Sequence, residues 1–74
     1  RRPPTLYLRL ADGAPETVGG VTGLLERYPG GSPVVLRFSK EGRTVRLTRL
    51  RVDPCDELTG ALSEMLGGQN VVVK

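Results

Sequence analysis

The sequence predicts an α+β domain, a four-stranded, mainly antiparallel sheet carrying two helices on one face. Three observations lead there. Leu6, Leu8 and Leu10, and again Val34, Leu36 and Phe38, alternate with other residues at the period of a half-buried strand. Over residues 18–28 and 58–66 apolar residues recur at three- and four-residue spacing, the period of a helix face. These segments follow one another as strand, helix, strand, strand, helix, strand and nearly fill the 74 residues.

The first strand is Leu6-Tyr7-Leu8-Arg9-Leu10, apolar on one face and carrying a ring and a charge on the other. Asp12-Gly13-Ala14-Pro15 is turn chemistry, and from Glu16 onward Val18, Val21, Leu24, Leu25 and Tyr28 line one side of a first helix. Gly19, Gly20 and Gly23 each weaken that helix by roughly 1 kcal/mol relative to Ala, so its early turns are expected to fray or start late. Pro29-Gly30-Gly31-Ser32-Pro33 ends it. Val34, Leu36 and Phe38 then point inward, opposite Val35 and Arg37, and Lys40-Glu41-Gly42 turns the chain into a third strand through Val45 and Leu47.

After Leu47 the apolar positions change parity, to Leu50 and Val52, which a β-bulge near Thr48-Arg49 explains and a strand end at the same place would also explain. Asp53-Pro54-Cys55-Asp56 predicts a helix start with Asp53 as cap and Pro54 at the first helical position. Leu58, Leu62, Met65 and Leu66 keep the inward stripe, with Ala61 beside it, until Gly67-Gly68 stops the helix and Asn70 to Val73 form the last strand.

Two β-helix-β units joined by a hairpin most simply give the split βαβ, ferredoxin-like arrangement, with strands one and four as neighbours beside the hairpin. The expected core is Leu6, Leu8, Leu10, Val21, Leu24, Leu25, Val34, Leu36, Phe38, Val45, Leu47, Leu58, Leu62, Met65 and Leu66. Residues 1–5 read as a linker from a longer protein and 6–74 as one module with a thin core.

Composition narrows the chemistry. A single Cys55 and no His exclude an internal disulfide and a Cys/His metal site, and fit a reducing cytoplasm. No apolar run approaches the roughly 20 residues of a membrane-spanning helix, so a soluble protein without membrane contact is expected. The glycine-bearing segments lack the Lys-Ser/Thr of a phosphate loop and the spacing of a dinucleotide site, so no cofactor is expected. Asp53, Asp56 and Glu57 read as helix-start residues rather than paired catalytic carboxylates, and Cys55 has no His partner. No catalytic residue is assigned.

Charge is unevenly distributed. Arg9, Arg37, Arg43, Arg46, Arg49 and Arg51 lie in or beside strands, whereas Glu16, Glu26, Asp56, Glu57 and Glu64 lie on helices. With helices on one sheet face, the other face is basic, and Arg9, Arg37 and Arg46 are its candidate contact residues, toward DNA backbone or an acidic protein. The same residues also serve simply as solubilising charges. Tyr7 is the one aromatic available for base stacking on such a face, which disfavours sequence-specific single-strand recognition. A small-molecule regulatory domain is a further alternative.

Three stretches, Leu6-Tyr7-Leu8-Arg9-Leu10, Leu24-Leu25-Glu26-Arg27-Tyr28-Pro29-Gly30 and Pro33-Val34-Val35-Leu36, resemble the extreme C-terminal domain of the alpha subunit of bacterial DNA polymerase III. Arg51-Val52-Asp53-Pro54 with Glu57-Leu58, and Leu66-Gly67 with Asn70-Val71-Val72, are similar to that family's closing helix and strand. The resemblance spans nearly the whole chain and rests mostly on structural motifs. It implies a replicative DNA-directed DNA polymerase whose nucleotidyl-transfer carboxylates lie far upstream, so that this module does not itself polymerise DNA. It further implies a C-terminal region joining the polymerase to the tau subunit of the clamp loader. No interface residue is carried over, because that region has no short binding motif.

Overall fold

The computed structural model describes residues 3–11 and 15–74, the side chain of Thr48 excepted. The expected turn at Asp12-Gly13-Ala14 and the basic pair Arg1-Arg2 lie outside the described residues. The elements are β1 (Leu6–Leu10), α1 (Pro15–Glu26), β2 (Pro29–Phe38), β3 (Arg43–Val52), α2 (Asp56–Leu66), a single 3-10 turn (Gly68–Asn70) and β4 (Val71–Val73). They build the expected α+β domain, with four strands in one sheet.

Strand order is β3-β2-β1-β4. β1 and β2 run parallel, with Leu6 beside Val34 and Leu10 beside Phe38, while β3 and β4 pair antiparallel to β2 and β1. β1 and β4 are neighbours as expected, but the ferredoxin-like split is absent, because α1 connects two strands that pair directly. Side-chain chemistry accounts for the difference. β2 carries the unbroken apolar run Val34-Val35-Leu36, suited to a strand covered on both faces. β3 carries four arginines, suited to an edge where charge deters strand addition by like chains.

The helices share one side of the sheet. Val21 and Leu25 of α1 and Leu58 and Leu62 of α2 join Leu6, Leu8, Leu10, Val34, Leu36 and Phe38 in one buried cluster. Burial of Val21 and Leu25 holds α1 continuous from Pro15, despite the glycines expected to delay it. Its last turn tightens at Arg27 and Tyr28, whose amides bond to the carbonyls of Leu24 and Leu25, both at 3.1 Å. Tyr28 thus lies past the helix rather than on it, still packed against the core.

Leu24, Val45, Leu47 and Leu66 are half-buried around this cluster. Met65 leaves the expected core and is 48% exposed, because Leu58 and Leu62 fix the buried line of α2 one step away from it. Val35 and Val52 are buried instead.

The parity change in β3 is a bulge. Val34 pairs with Leu47 and its neighbour Pro33 with Arg51, so residues 48–50 are extra on β3. The strand then continues, and Val52 faces Ser32 and Pro29, which extends β2 back through the segment expected to be a loop. That extension needs Gly30. A Cβ there would lie 2.5 Å from the Asp53 amide nitrogen and 2.6 Å from the Val52 carbonyl carbon.

α2 begins later than the sequence suggests. Cys55 is the N-cap residue, with extended backbone (φ −74°, ψ 167°) and no side-chain cap bond, and the Thr59 amide bonds to its carbonyl at 3.0 Å. Asp53 is not the cap, because its backbone is committed to the sheet end: its amide bonds to the Tyr28 carbonyl at 2.8 Å. Asp53→Ala is accordingly expected to change stability by less than about 0.5 kcal/mol, rather than the roughly 1 kcal/mol of a lost cap. Urea denaturation of the variant checks this. At the other end Gly67 turns with φ +96° and Asn70 Nδ2 donates to the Leu66 carbonyl at 2.6 Å, closing the helix with a side chain.

Candidate functional site

Tyr7 and Arg9 of β1 project away from the leucines on either side of them, and strand pairing extends that surface across the sheet. Arg46, Val35, Tyr7 and Val72 occupy one row through the partners Val35–Arg46, Tyr7–Val35 and Tyr7–Val72. Thr44, Arg37 and Arg9 form the next row. The structure therefore brings together all three arginines predicted from sequence, on the face opposite the helices.

Register makes this face electrostatically unusual. Arg9 and Arg37 are direct partners on parallel strands whose backbones run about 4.8 Å apart, a like-charge pair that disfavours the sheet locally. Arg37 Nη1 donates to Thr44 Oγ1 at 3.3 Å. Among the described residues one salt bridge forms, Arg43 to Glu41 at 3.8 Å, in which neither partner belongs to the three. The carboxylates of α1 and α2 lie on the helices, across the sheet, and leave this surface positive.

Its centre is apolar. Tyr7 and Val72 are 41% and 38% exposed, while Val35 is 6% exposed, shielded by the long side chains around it. Lys74 Nζ sits 6.0 Å from the Tyr7 ring centroid, adding a cation to the rim. A depression of about 110 Å³ lies between Tyr7, Arg9, Arg37, Asn70 and Val72, well below the roughly 300 Å³ of a small-molecule pocket.

Sequence reasoning selected the arginines and missed this centre. The signal was present: both Val34-Val35-Leu36 and Val71-Val72-Val73 are uninterrupted apolar runs, and any such run in a strand must place a residue on each face. Arg43 does not join the other arginines. It pairs with Phe38 and lies over that ring at 5.5 Å, on the helix side. Arg51 follows the bulge, its Nη1 donating to the Gly31 carbonyl at 3.4 Å.

Among the described residues no group of three or more His, Cys, Asp or Glu is placed to hold a metal ion. Among the described residues no helix is long and apolar enough to cross a membrane. Chemically, the open face offers an apolar contact bordered by cations. No protein-family model, curated protein or solved structure gives a significant match to this chain.

Proposed function

We propose that this chain is the C-terminal interaction module of a bacterial replicative DNA polymerase, and that in the cytoplasm it docks the catalytic alpha subunit to the clamp-loader tau subunit. The parentage is supported by the polymerase III alpha resemblance of its five sequence stretches. The docking role is supported by one observation: Tyr7, Val35 and Val72 form an apolar centre rimmed by Arg9, Arg37 and Arg46. Protein interfaces concentrate affinity in such centres, with aromatic and arginine anchors and a polar rim. The rim's sign calls for an acidic partner surface, which would relieve the repulsion between Arg9 and Arg37. In this reading the module contributes binding, and nucleotidyl transfer belongs to the upstream polymerase.

The aligned arginines also favour a second reading, contact with DNA backbone. The two differ in what carries the affinity. Backbone binding depends on cations and falls steeply with salt, each phosphate contact adding about 0.9 to the slope of log affinity against log salt. Docking depends on the aromatic anchor.

Titrations of labelled duplex and single-stranded DNA and of purified tau C-terminal domain, at two salt concentrations, separate them. Tyr7→Ala is expected to weaken tau binding about tenfold or more and to leave the DNA salt slope unchanged. Reversing Arg9, Arg37 and Arg46 together should abolish tau binding. Tight DNA binding, a slope reduced by roughly one unit in Arg9→Gln and no tau association would replace docking with the backbone reading.

A further inference from the structure

A second surface lies at the sheet edge, around the side from the arginine-rimmed face. β3 is an edge strand paired with β2 alone, and its pairing is regular over five positions, from Arg43 opposite Phe38 to Leu47 opposite Val34. The bulge at residues 48–50 ends that stretch. The outer margin of residues 43–47 therefore offers about 17 Å of strand whose outward amides and carbonyls have no sheet partner.

On the helix side, α1 does not reach across this margin. A groove of about 510 Å³ separates Val18 and Thr22 of α1 from Leu36, Phe38, Val45 and Leu47 of the sheet. Val45 and Leu47 are half-buried there. An unpaired edge beside an apolar trough is the arrangement in which an extended peptide adds as a strand and lowers alternate side chains into the trough.

Charge determines which peptide. β3 carries Arg43, Arg46, Arg49 and Arg51 and no carboxylate. Glu41 in the preceding turn is engaged by Arg43 at 3.8 Å. A second copy of this chain pairing through β3 would set arginines against arginines, which the edge resists. An acidic strand meets the opposite condition.

We infer that the β3 edge and the α1–β3 groove bind an extended acidic peptide segment, about five residues long, with apolar residues at alternate positions and Asp or Glu between them. The backbone ladder forms along residues 43–47, the apolar residues enter the groove beside Val45 and Leu47, and the carboxylates, on the opposite face of the strand, meet Arg46. This site shares Arg46 with the rim of the Tyr7 centre but takes its anchors on the helix side, and it holds whether or not the docking reading does.

The test uses the isotope-labelled 74-residue chain and a soluble blocked peptide of alternating Glu and Val, followed residue by residue by nuclear magnetic resonance and amide exchange. Two controls accompany it, the same peptide with Lys for Glu and the same peptide N-methylated at alternate residues. Saturable shifts and gained protection at residues 43–47, with shifts at Val18 and Thr22, are expected for the acidic peptide alone. N-methylation should cost at least about tenfold in affinity, since it removes the ladder, and Val45→Asp a similar factor through the lost anchor. If Val45→Asp loses its folded spectrum, Arg46→Gln, at an exposed position on the carboxylate side, should still lower affinity about threefold and flatten the salt dependence. Arg27→Gln, an exposed arginine outside the groove, should leave peptide affinity unchanged. Equal binding of the Lys peptide, shifts centred on Arg9 and Arg37, absence of saturation, or protection of β3 by self-association would each overturn the inference.

Discussion

Leu62→Ala is expected to destabilise the domain severely. Leu62 is fully buried at the middle of α2, inside the cluster that joins both helices to β1 and β2. Truncation removes the transfer free energy of the lost methyl groups and leaves a cavity that the surrounding side chains fill only in part, together costing about 2 to 5 kcal/mol. A domain of this size has a total stability on the order of 4 to 11 kcal/mol, so the loss is a large fraction of the whole. Met65, one turn away and half exposed, supplies the control: Met65→Ala should cost less than about 1 kcal/mol. Urea midpoints at unchanged slope give both values. Equal losses at the two positions would mean that the buried face of α2 is misassigned.

Gly30→Ala should be comparably damaging by the opposite mechanism, insertion of one atom where there is no space. The atoms in the way are backbone, the amide nitrogen and Cα of Asp53 and the carbonyl carbon of Val52, at 2.5 to 2.7 Å from the added Cβ. A side chain could rotate aside, but here a strand end must shift. The shift breaks the bond from the Asp53 amide to the Tyr28 carbonyl and disturbs Val52, which is fully buried. A cost of about 3 kcal/mol is expected, at the upper end for overpacking. Gly31 has nothing within 4 Å of its added Cβ, and Gly31→Ala should stay within about 0.5 kcal/mol of the parent. The contrast between adjacent glycines makes the measurement specific to the close approach, and equal effects would refute it.

Gly30 also marks where the sequence was hard to read. Pro29-Gly30-Gly31-Ser32-Pro33 has the composition of a loop, and its role as paired strand depends on a backbone 22 residues later coming close to it. No local pattern encodes that contact. The parity change after Leu47, by contrast, is a local record of the bulge, because side-chain direction in a strand is fixed by counting residues. The helices were legible for the same reason, their faces being written at regular spacing. Asp53 misled because its type suits a cap, while its amide was already committed to the sheet.

Strand order was the other point of difference. A hairpin after a βαβ unit can lie inside or outside the first strand, and the choice depends on which strand tolerates burial on both faces. Val35 held that information, as a third consecutive apolar position in β2 when read with Val34 and Leu36. The same residue decides the candidate site: it is the floor on which Tyr7 and the arginines stand. The arginines were visible as single letters, whereas the apolar centre exists only after β1, β2 and β4 are placed in register.

Thr5 and Lys74 exchange both of their backbone hydrogen bonds, at 2.7 and 2.9 Å, so the ladder between β1 and β4 ends where the two extremities of the described chain meet. This gives the domain a direction of mechanical weakness. A force pulling those two residues apart acts along the inter-strand bonds, which lie perpendicular to the strands, and loads them one at a time from the outside inward. The three-residue β4 would peel away like a zipper, while β1, β2 and β3 remained paired. A load applied between Thr5 and the turn after β2 would instead shear the parallel β1–β2 pair, all five of its registered positions sharing the strain. A load applied through Thr5 and Lys74 therefore meets less resistance than one that shears β1 against β2.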